Sequence, residues 1–277
     1  MNKKIRKQFY FLSSLFFRRR TIVPSREEID VIIPVIEKDL LILPLCLEGI
    51  KHALVNRIKN IYIVAPNVHA ILDFCATNHV LFIDEVSVLG YGPREINYKV
   101  GDVDRSGWIF QQLLKLSGTM GDCEHFLVID ADNILIAPHT FFTSDHKYVF
   151  YQSKEFHAPY HQIAQQLIGA LSIPLLSYVD HKMLFSKAIL AKLKARITEK
   201  ASQESWDKII LKNLDTNEMS SFSEYETYGM FVPKSQKRLL PWRNKTLRYD
   251  ALLSYDELCD KYAKRYLSVT FPEYMNY

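Results

Sequence analysis

Nine glycines and eleven prolines in 277 residues leave no room for collagen-like or low-complexity sequence. A hydrophobic fraction of 48% excludes intrinsic disorder. Cysteine is also scarce. Cys46, Cys75, Cys123 and Cys259 stand far apart and form no C-x-x-C pair. That spacing excludes a disulfide framework or zinc knuckle and predicts reduced, mostly buried thiols in a cytosolic setting. The chain has no apolar run approaching the roughly 20 residues that span a bilayer. It also has no internal repeat and no linker that forces a domain split. The length suits one large α/β domain, or one domain with a small appendage, able to bury its own core without a metal or disulfide.

Acid is missing from the first twenty residues, which hold Lys3, Lys4, Arg6, Lys7, Arg18, Arg19 and Arg20. The net charge of +4 arises there, because the other 28 basic residues face 31 acids and leave the body at −3. A nucleic-acid-binding domain spreads positive charge over its folded surface, so that class is excluded. Between the basic clusters lies Phe9-Tyr10-Phe11-Leu12-Ser13-Ser14-Leu15-Phe16-Phe17. Arg18-Arg19-Arg20 stands where a signal peptide would carry its small-residue cleavage site. Aromatics and leucine flanked by lysine and arginine predict that residues 1–20 lie on an anionic membrane surface, each basic group adding about 1 kcal/mol. The alternative is a frayed terminus or a helix packed on the body. The reading divides the chain into a tail over residues 1–27 and a single domain over 28–277.

From Glu28 onward, short β-branched runs alternate with helical spacing. Residues 29–35, 61–65, 80–84 and 126–129 read as buried strands, and 39–55, 69–77 and 106–117 as helices, with Pro44 delaying or kinking the first of these. Such alternation predicts an α/β fold: a mostly parallel sheet flanked by helices. Gly90, Gly92, Pro93 and Gly101 mark residues 89–103 as a loop. The second half reads as a hairpin near 148–152, helices near 162–170, 187–198 and 203–214, and a terminal helix near 255–262. Pro159 lies between His157 and His161, so that pair reads as loop chemistry without a metal.

Asp130-Ala131-Asp132 carries the sharpest chemical signal. An apolar strand delivers two carboxylates to its C-terminal end, where ligands bind in open α/β sheets. Two hard oxygen ligands suit Mn²⁺ or Mg²⁺ shared with a substrate phosphate, although turns also favour aspartate. Arg105 and Lys115, on the preceding element, are placed to reach a diphosphate or to be solvated helix charges. Ser223-Glu224-Tyr225-Glu226 offers a carboxylate base for an acceptor hydroxyl. Glu226, three residues after Ser223, fits a reciprocal capping box, which leaves Glu224 as the catalytic candidate. Asp180 is a second carboxylate able to meet an acceptor. Lys237, Arg238, Arg243, Lys245 and Arg248, with Trp242, form a basic stretch that suits a diphosphate clamp, an anionic surface or plain solvent.

Asp30-Val31-Ile32-Ile33-Pro34-Val35, followed a hundred residues later by Phe126-Leu127-Val128-Ile129-Asp130-Ala131-Asp132, resembles the GT-A nucleotide-sugar glycosyltransferases. Two further stretches, residues 107–116 and 223–229, are similar more loosely to uncharacterised GT-A-like proteins of bacterial capsule and lipopolysaccharide gene clusters. The resemblance implies a GT-A-like (Rossmann-like) fold with a helical C-terminal half. It implies that Pro34, Val35 and the Asn67 region hold the base and ribose of a nucleotide-sugar donor. Asp130 and Asp132 would hold a divalent cation on its diphosphate, and His181 from the second half would complete the metal shell, imidazole being an acceptable Mn²⁺ ligand. The implied acceptor is a glycan or lipid-linked glycan at the inner face of the plasma membrane.

Two other readings compete. Ile129-Asp130-Ala131-Asp132-Asn133-Ile134-Leu135 also looks like the nucleophile motif of haloacid-dehalogenase-like phosphatases, but that motif usually opens the chain. A glycan-binding scaffold on a degenerate transferase fold predicts no metal-dependent nucleotide binding. A nucleotidyltransferase would carry a Gly-rich phosphate loop after the first strand, and Pro34-Val35-Ile36-Glu37-Lys38 has none.

Overall fold

The computed structural model describes residues 3–15, 22–169, 173–199, 203–241 and 243–272. Arg18, Arg19, Arg20, Phe16, Phe17 and Trp242, named above, lie outside the described residues. Helix α1 (Lys3–Leu15) precedes strand β1 (Glu28–Pro34), whose Ile29, Val31, Ile32 and Ile33 are fully buried. A 3₁₀ turn over Glu37–Leu41 leads into α2 (Leu43–Ala53). Pro44 sits in the first turn of α2, where its missing N–H breaks no helical bond, so it sets the start of the helix and does not kink it. Next come β2 (Arg57–Ala65), α3 (His69–Asn78), β3 (Leu81–Asp84) and the short α4 (Glu85–Leu89). A two-residue-wide ribbon, β4 (Lys99–Val100) with β5 (Val103–Asp104), gives some structure to the glycine-containing loop before α5 (Ser106–Ser117). Strand β6 (His125–Ile129) then carries the chain to the paired acids, and β7 (Asn133–Leu135) follows them.

The second half continues with β8 (Tyr148–Gln152), α6 (Ala158–Ile168), β9 (Lys182–Ser186), α7 (Lys187–Thr198), α8 (Trp206–Lys212) and α9 (Glu224–Phe231). It ends with β10 (Lys237–Pro241), β11 (Asn244–Thr246), α10 (Tyr255–Tyr262) and β12 (Ser268–Thr270). Two sequence expectations hold only in part. The hairpin near 148–152 is confined to the start of β8, where Phe142 bridges Tyr148 in antiparallel sense and Val149 N–H donates to the Phe141 carbonyl at 2.9 Å; along its whole length β8 pairs in parallel with β10, nearly ninety residues away. The stretch around His157 and His161 is not loop throughout. Pro159 occupies the first turn of α6, and His161 is buried within the helix.

The central sheet has the order β3-β2-β1-β6-β9, parallel except for β9, which runs antiparallel to β6. Its apolar strands are covered by helices in an α/β arrangement. Register brings the strand ends level. Pro34 pairs with Val64, Ala65 with Asp84, and Ile32 with Val128, so Asp130 lies as far along as Pro34. A smaller sheet, β11-β12-β7, closes over a second core of Ile42, Ile134, Ile136, Leu258, Val269 and Phe271. Gly49 permits that closure, since a Cβ there would stand 2.8 Å from the backbone of Leu135 in β7. The four cysteines are free thiols, with Cys46 and Cys75 buried.

Candidate functional site

The turn after β6 and the residue before β9 bring Asp130, Asp132 and His181 together. Each offers one ligand atom, and these atoms all lie within 4.8 Å of one another. The backbone holds the three in place. The Asp130 N–H donates to the His181 carbonyl at 2.9 Å, and the Asp132 carbonyl accepts from Phe271 N–H at 3.0 Å. His181 has φ +59, a left-handed conformation uncommon outside glycine and enriched at functional sites. The C-terminal strand thus fixes one carboxylate and β9 fixes the other two members.

Charge is unevenly satisfied across the three. Burial alone would raise the Asp130 carboxyl, but Lys115 and His181 outweigh it and hold the group well below the usual carboxylate range. Burial pushes Asp132 up to about 7, with Asp130 and Asp39 adding to the shift against His181. Burial would lower His181, yet its hydrogen bond to Asp130 and the charges of Asp132, Asp130 and Asp180 raise it to about 9. A carboxylate made costly by burial and by its neighbours is a group that a divalent cation would relieve. Two carboxylates and an imidazole fit Mn²⁺ or Mg²⁺ with open positions left for substrate oxygens.

Behind this trio lies a buried ion triad. The Lys115 ammonium is 2.7 Å from Asp130 Oδ1 and 2.9 Å from Glu224 Oε1, with both lysine and glutamate side chains 4% exposed. Tyr225 Oη donates to the same Asp130 oxygen at 3.3 Å. The side chain of Lys115 points toward the N-terminus of α5, as helical side chains do, and so reaches up to the strand end. Removing one member of such a cluster strands a buried charge, at a cost of about 3–5 kcal/mol. Glu224 is therefore engaged with Lys115 and does not face an acceptor as a free base. Asp180 is likewise buried, 3.0 Å from the ammonium of Lys182. Ser223 caps α9 by accepting from Glu226 N–H, but the Glu226 carboxylate does not return the contact. It accepts from Ser177 Oγ at 2.6 Å and from Tyr178 N–H at 3.0 Å.

A cavity of about 850 Å³ opens over the strand ends. Pro34, Val35, Arg105, Asp130 and Asp132 line it. Asn67, Lys115, Asp180, His181 and Glu224 are not among its lining residues, and Asn67 is exposed beyond β2. The basic residues Lys237, Arg238, Arg243, Lys245 and Arg248 do not line it either, so the suggested diphosphate clamp is not built from them. Lys237 instead lies over the Tyr178 ring, 4.9 Å from its centre. Sequence reasoning missed several lining residues: Lys38 and Asp39 after β1, Glu85 after β3, Trp108 and Gln111 on α5, and Tyr249 from the C-terminal part. For Trp108 and Gln111 the signal was present. Gly107, Gln111 and Leu114 recur at helical spacing on one face of α5.

The sequence matches, over residues 26–252, the model of a family described as "Family of unknown function (DUF6492)". No curated protein matches it. Among solved structures it is similar to the apo form of mouse xyloside xylosyltransferase 1, at 9% identity and TM-score 0.45, covering 91% of this chain and 100% of that one. It is also similar to the galactosyltransferase LgtC in complex with donor and acceptor sugar analogues, at 12% identity and TM-score 0.44, covering 88% of this chain and 87% of that one. Both likenesses are remote, and the functional reading rests on this chain's own residues.

Proposed function

The chain belongs to the DUF6492 family, and we propose that it is a metal-dependent glycosyltransferase moving a sugar from a nucleotide-sugar donor to a hydroxyl of a bacterial surface glycan. The observation that carries this reading is the convergence of Asp130, Asp132 and His181 at level parallel strand ends, with both aspartates lining the cavity there. Nucleotides bind in that crevice in open α/β sheets. A divalent cation held by the three residues would neutralise the charge that develops on a departing nucleoside diphosphate.

The protein's own groups divide the remaining work. Pro34, Val35 and Val64 form an apolar floor for the nucleoside. Lys38 and Arg105 place positive charge on the cavity wall, where it favours the diphosphate. Lys115 keeps Asp130 ionised and oriented, and Glu224 holds Lys115, so both act as positioning residues. Asp180, next to His181 in sequence, is held by the Lys182 ammonium and serves as a positioning residue for that turn. The domain over residues 28–277 carries this chemistry. The tail over residues 1–27 brings it to the anionic inner face of the plasma membrane, where a capsule or lipopolysaccharide acceptor is assembled.

The phosphatase reading requires a carboxylate oxygen free to attack phosphorus. Asp130 gives one oxygen to Lys115 and Tyr225 and the other to His181 at 3.3 Å, so it is poorly disposed as a nucleophile. A thermal-shift screen of nucleoside diphosphates with and without Mn²⁺ tests the proposal. Ligands that bind only the folded state raise its melting temperature by mass action. Metal-dependent stabilisation that disappears in Asp132→Ala supports the transferase. Stabilisation by phosphate esters alone supports the phosphatase, and none at all supports a scaffold.

A further inference from the structure

The cavity runs away from Asp130 and Asp132 across the neighbouring strands. β6, β1, β2 and β3 lie side by side in that order. With an interstrand spacing of about 4.8 Å, the end of β3 stands roughly 14 Å from the end of β6. That separation is comparable with the reach of a nucleoside diphosphate from its terminal phosphate to the far edge of its base. If the diphosphate meets a cation at β6, the ribose falls over Pro34 and Val35, and the base lies over Val64 toward β3.

At that far end stands Glu85, the first residue of α4, with its half-buried side chain lining the cavity. Among the described residues it makes no hydrogen bond or ion pair. Burial, with Asp84 beside it, pushes its carboxyl up to about 7. A first-turn glutamate on a five-residue helix gains only a few tenths of a kcal/mol from the helix dipole. Exposure to water would serve that purpose better than burial in a cavity. Gln111 lines the same cavity with an amide that is likewise unpartnered among the described residues, and Phe110 and Pro93 add apolar surface.

A carboxylate that a bound base cuts off from water needs N–H donors from that base, and the four common bases differ in how they supply them. Guanine presents a ring N–H and an exocyclic amino group side by side, next to a carbonyl acceptor. Uracil has one N–H between two carbonyls, so the second carboxylate oxygen would face a lone pair. Adenine and cytosine each set an amino group beside an acceptor nitrogen. Resting on the transferase reading above, we propose that Glu85 reads the adjacent N–H groups of guanine and Gln111 its carbonyl, making the donor a guanosine-diphosphate-linked sugar.

Isothermal titration of the full chain with GDP, UDP, CDP and ADP in Mn²⁺, repeated on Glu85→Gln, tests this. One well-made bidentate contact to a base is worth about 1–3 kcal/mol, or roughly 5- to 150-fold in affinity. GDP binding tightest by about tenfold or more, with that advantage lost in Glu85→Gln and UDP binding unchanged, is the expected result. Tighter binding of UDP, CDP or ADP overturns the guanine assignment. So does an equal loss for all four nucleotides in Glu85→Gln, which would place Glu85 on the ribose. Both of those outcomes leave metal-dependent nucleotide binding intact, whereas failure of all four to bind overturns the transferase reading as well.

Discussion

Glu226 sits at the centre of a polar pocket behind the candidate site, fully buried, with one carboxylate oxygen satisfied by Ser177 and Tyr178 and the other 3.6 Å from His161 Nδ1. Burial raises its carboxyl from 4.5 to about 7, against the hydrogen bonds from Ser177 and Tyr178. The folded protein therefore keeps a proton that the unfolded chain loses above about 4.5. Stability attributable to this group is full below that pH and declines as the pH rises toward 7. Glu226→Gln keeps the acceptor for Ser177 and removes the charge. It is expected to stabilise the protein by about 1–3 kcal/mol at pH 8 and to change little at pH 5, measured by urea denaturation at both. The sequence offered Glu226 as a capping residue because local spacing is all that a single chain displays. Its partners Ser177 and Tyr178 come from a segment nearly fifty residues away. Asp130 and Asp132 were legible for the opposite reason, since an apolar strand running into two acids is a local pattern. Lys115 lay between these cases: its position on α5 was plain, but the side chains it holds were not.

Helix α9 shows how an element is placed by contacts that no periodicity announces. Its Gly229 lies so close to the Tyr178 ring that a Cβ would collide with it. Tyr225 and Glu224, on the same helix, complete the surroundings of Asp130 and Lys115. Gly229→Ala is expected to lose about 1–3 kcal/mol by overpacking. It should also weaken Mn²⁺-dependent ligand binding where α9 shifts away from Tyr178, because Tyr225 and Glu224 ride on the same helix; thermal melts with and without ligand read both effects. Helices α5, α7 and α10 coincide with the spans expected from spacing and caps, since amphipathic periodicity and turn residues act within a few positions. Strand β9, the parallel pairing of β8 with β10 and the β11-β12-β7 sheet were not legible. Each is a partnership between distant segments whose members look alike in isolation.

At the scale of the whole molecule, charge and apolar surface are divided between the tail and the body. Arg6 ties α1 to the body, donating to the carbonyls of Pro174 and Leu175 at 3.2 and 3.0 Å and stacking over Phe156. Ile5, Phe9 and Leu12, at i, i+4 and i+7, remain exposed, as do Lys4 and Lys7. Among the described residues no helix is long and apolar enough to cross a membrane. An exposed apolar stripe flanked by lysines suits a bilayer surface. Cosedimentation with phosphatidylglycerol vesicles at low salt is therefore expected. It should fall sharply in 1 M salt, where the Debye length is about 3 Å, and in the double variant Phe9→Asp, Leu12→Asp. Equal binding to neutral vesicles, or none to anionic ones, would remove the membrane from the account.

The grip of Asp130, Asp132 and His181 on a cation shared with a diphosphate is read most directly by electron paramagnetic resonance of Mn²⁺. The free-ion signal is followed as protein is added, with and without a nucleoside diphosphate, in the unsubstituted chain and in Asp132→Ala. Protein and nucleotide together are expected to deplete free Mn²⁺ well beyond either alone, and Asp132→Ala to abolish the excess. Depletion no greater than the nucleotide causes by itself, or an undiminished excess in Asp132→Ala, would contradict that shared grip.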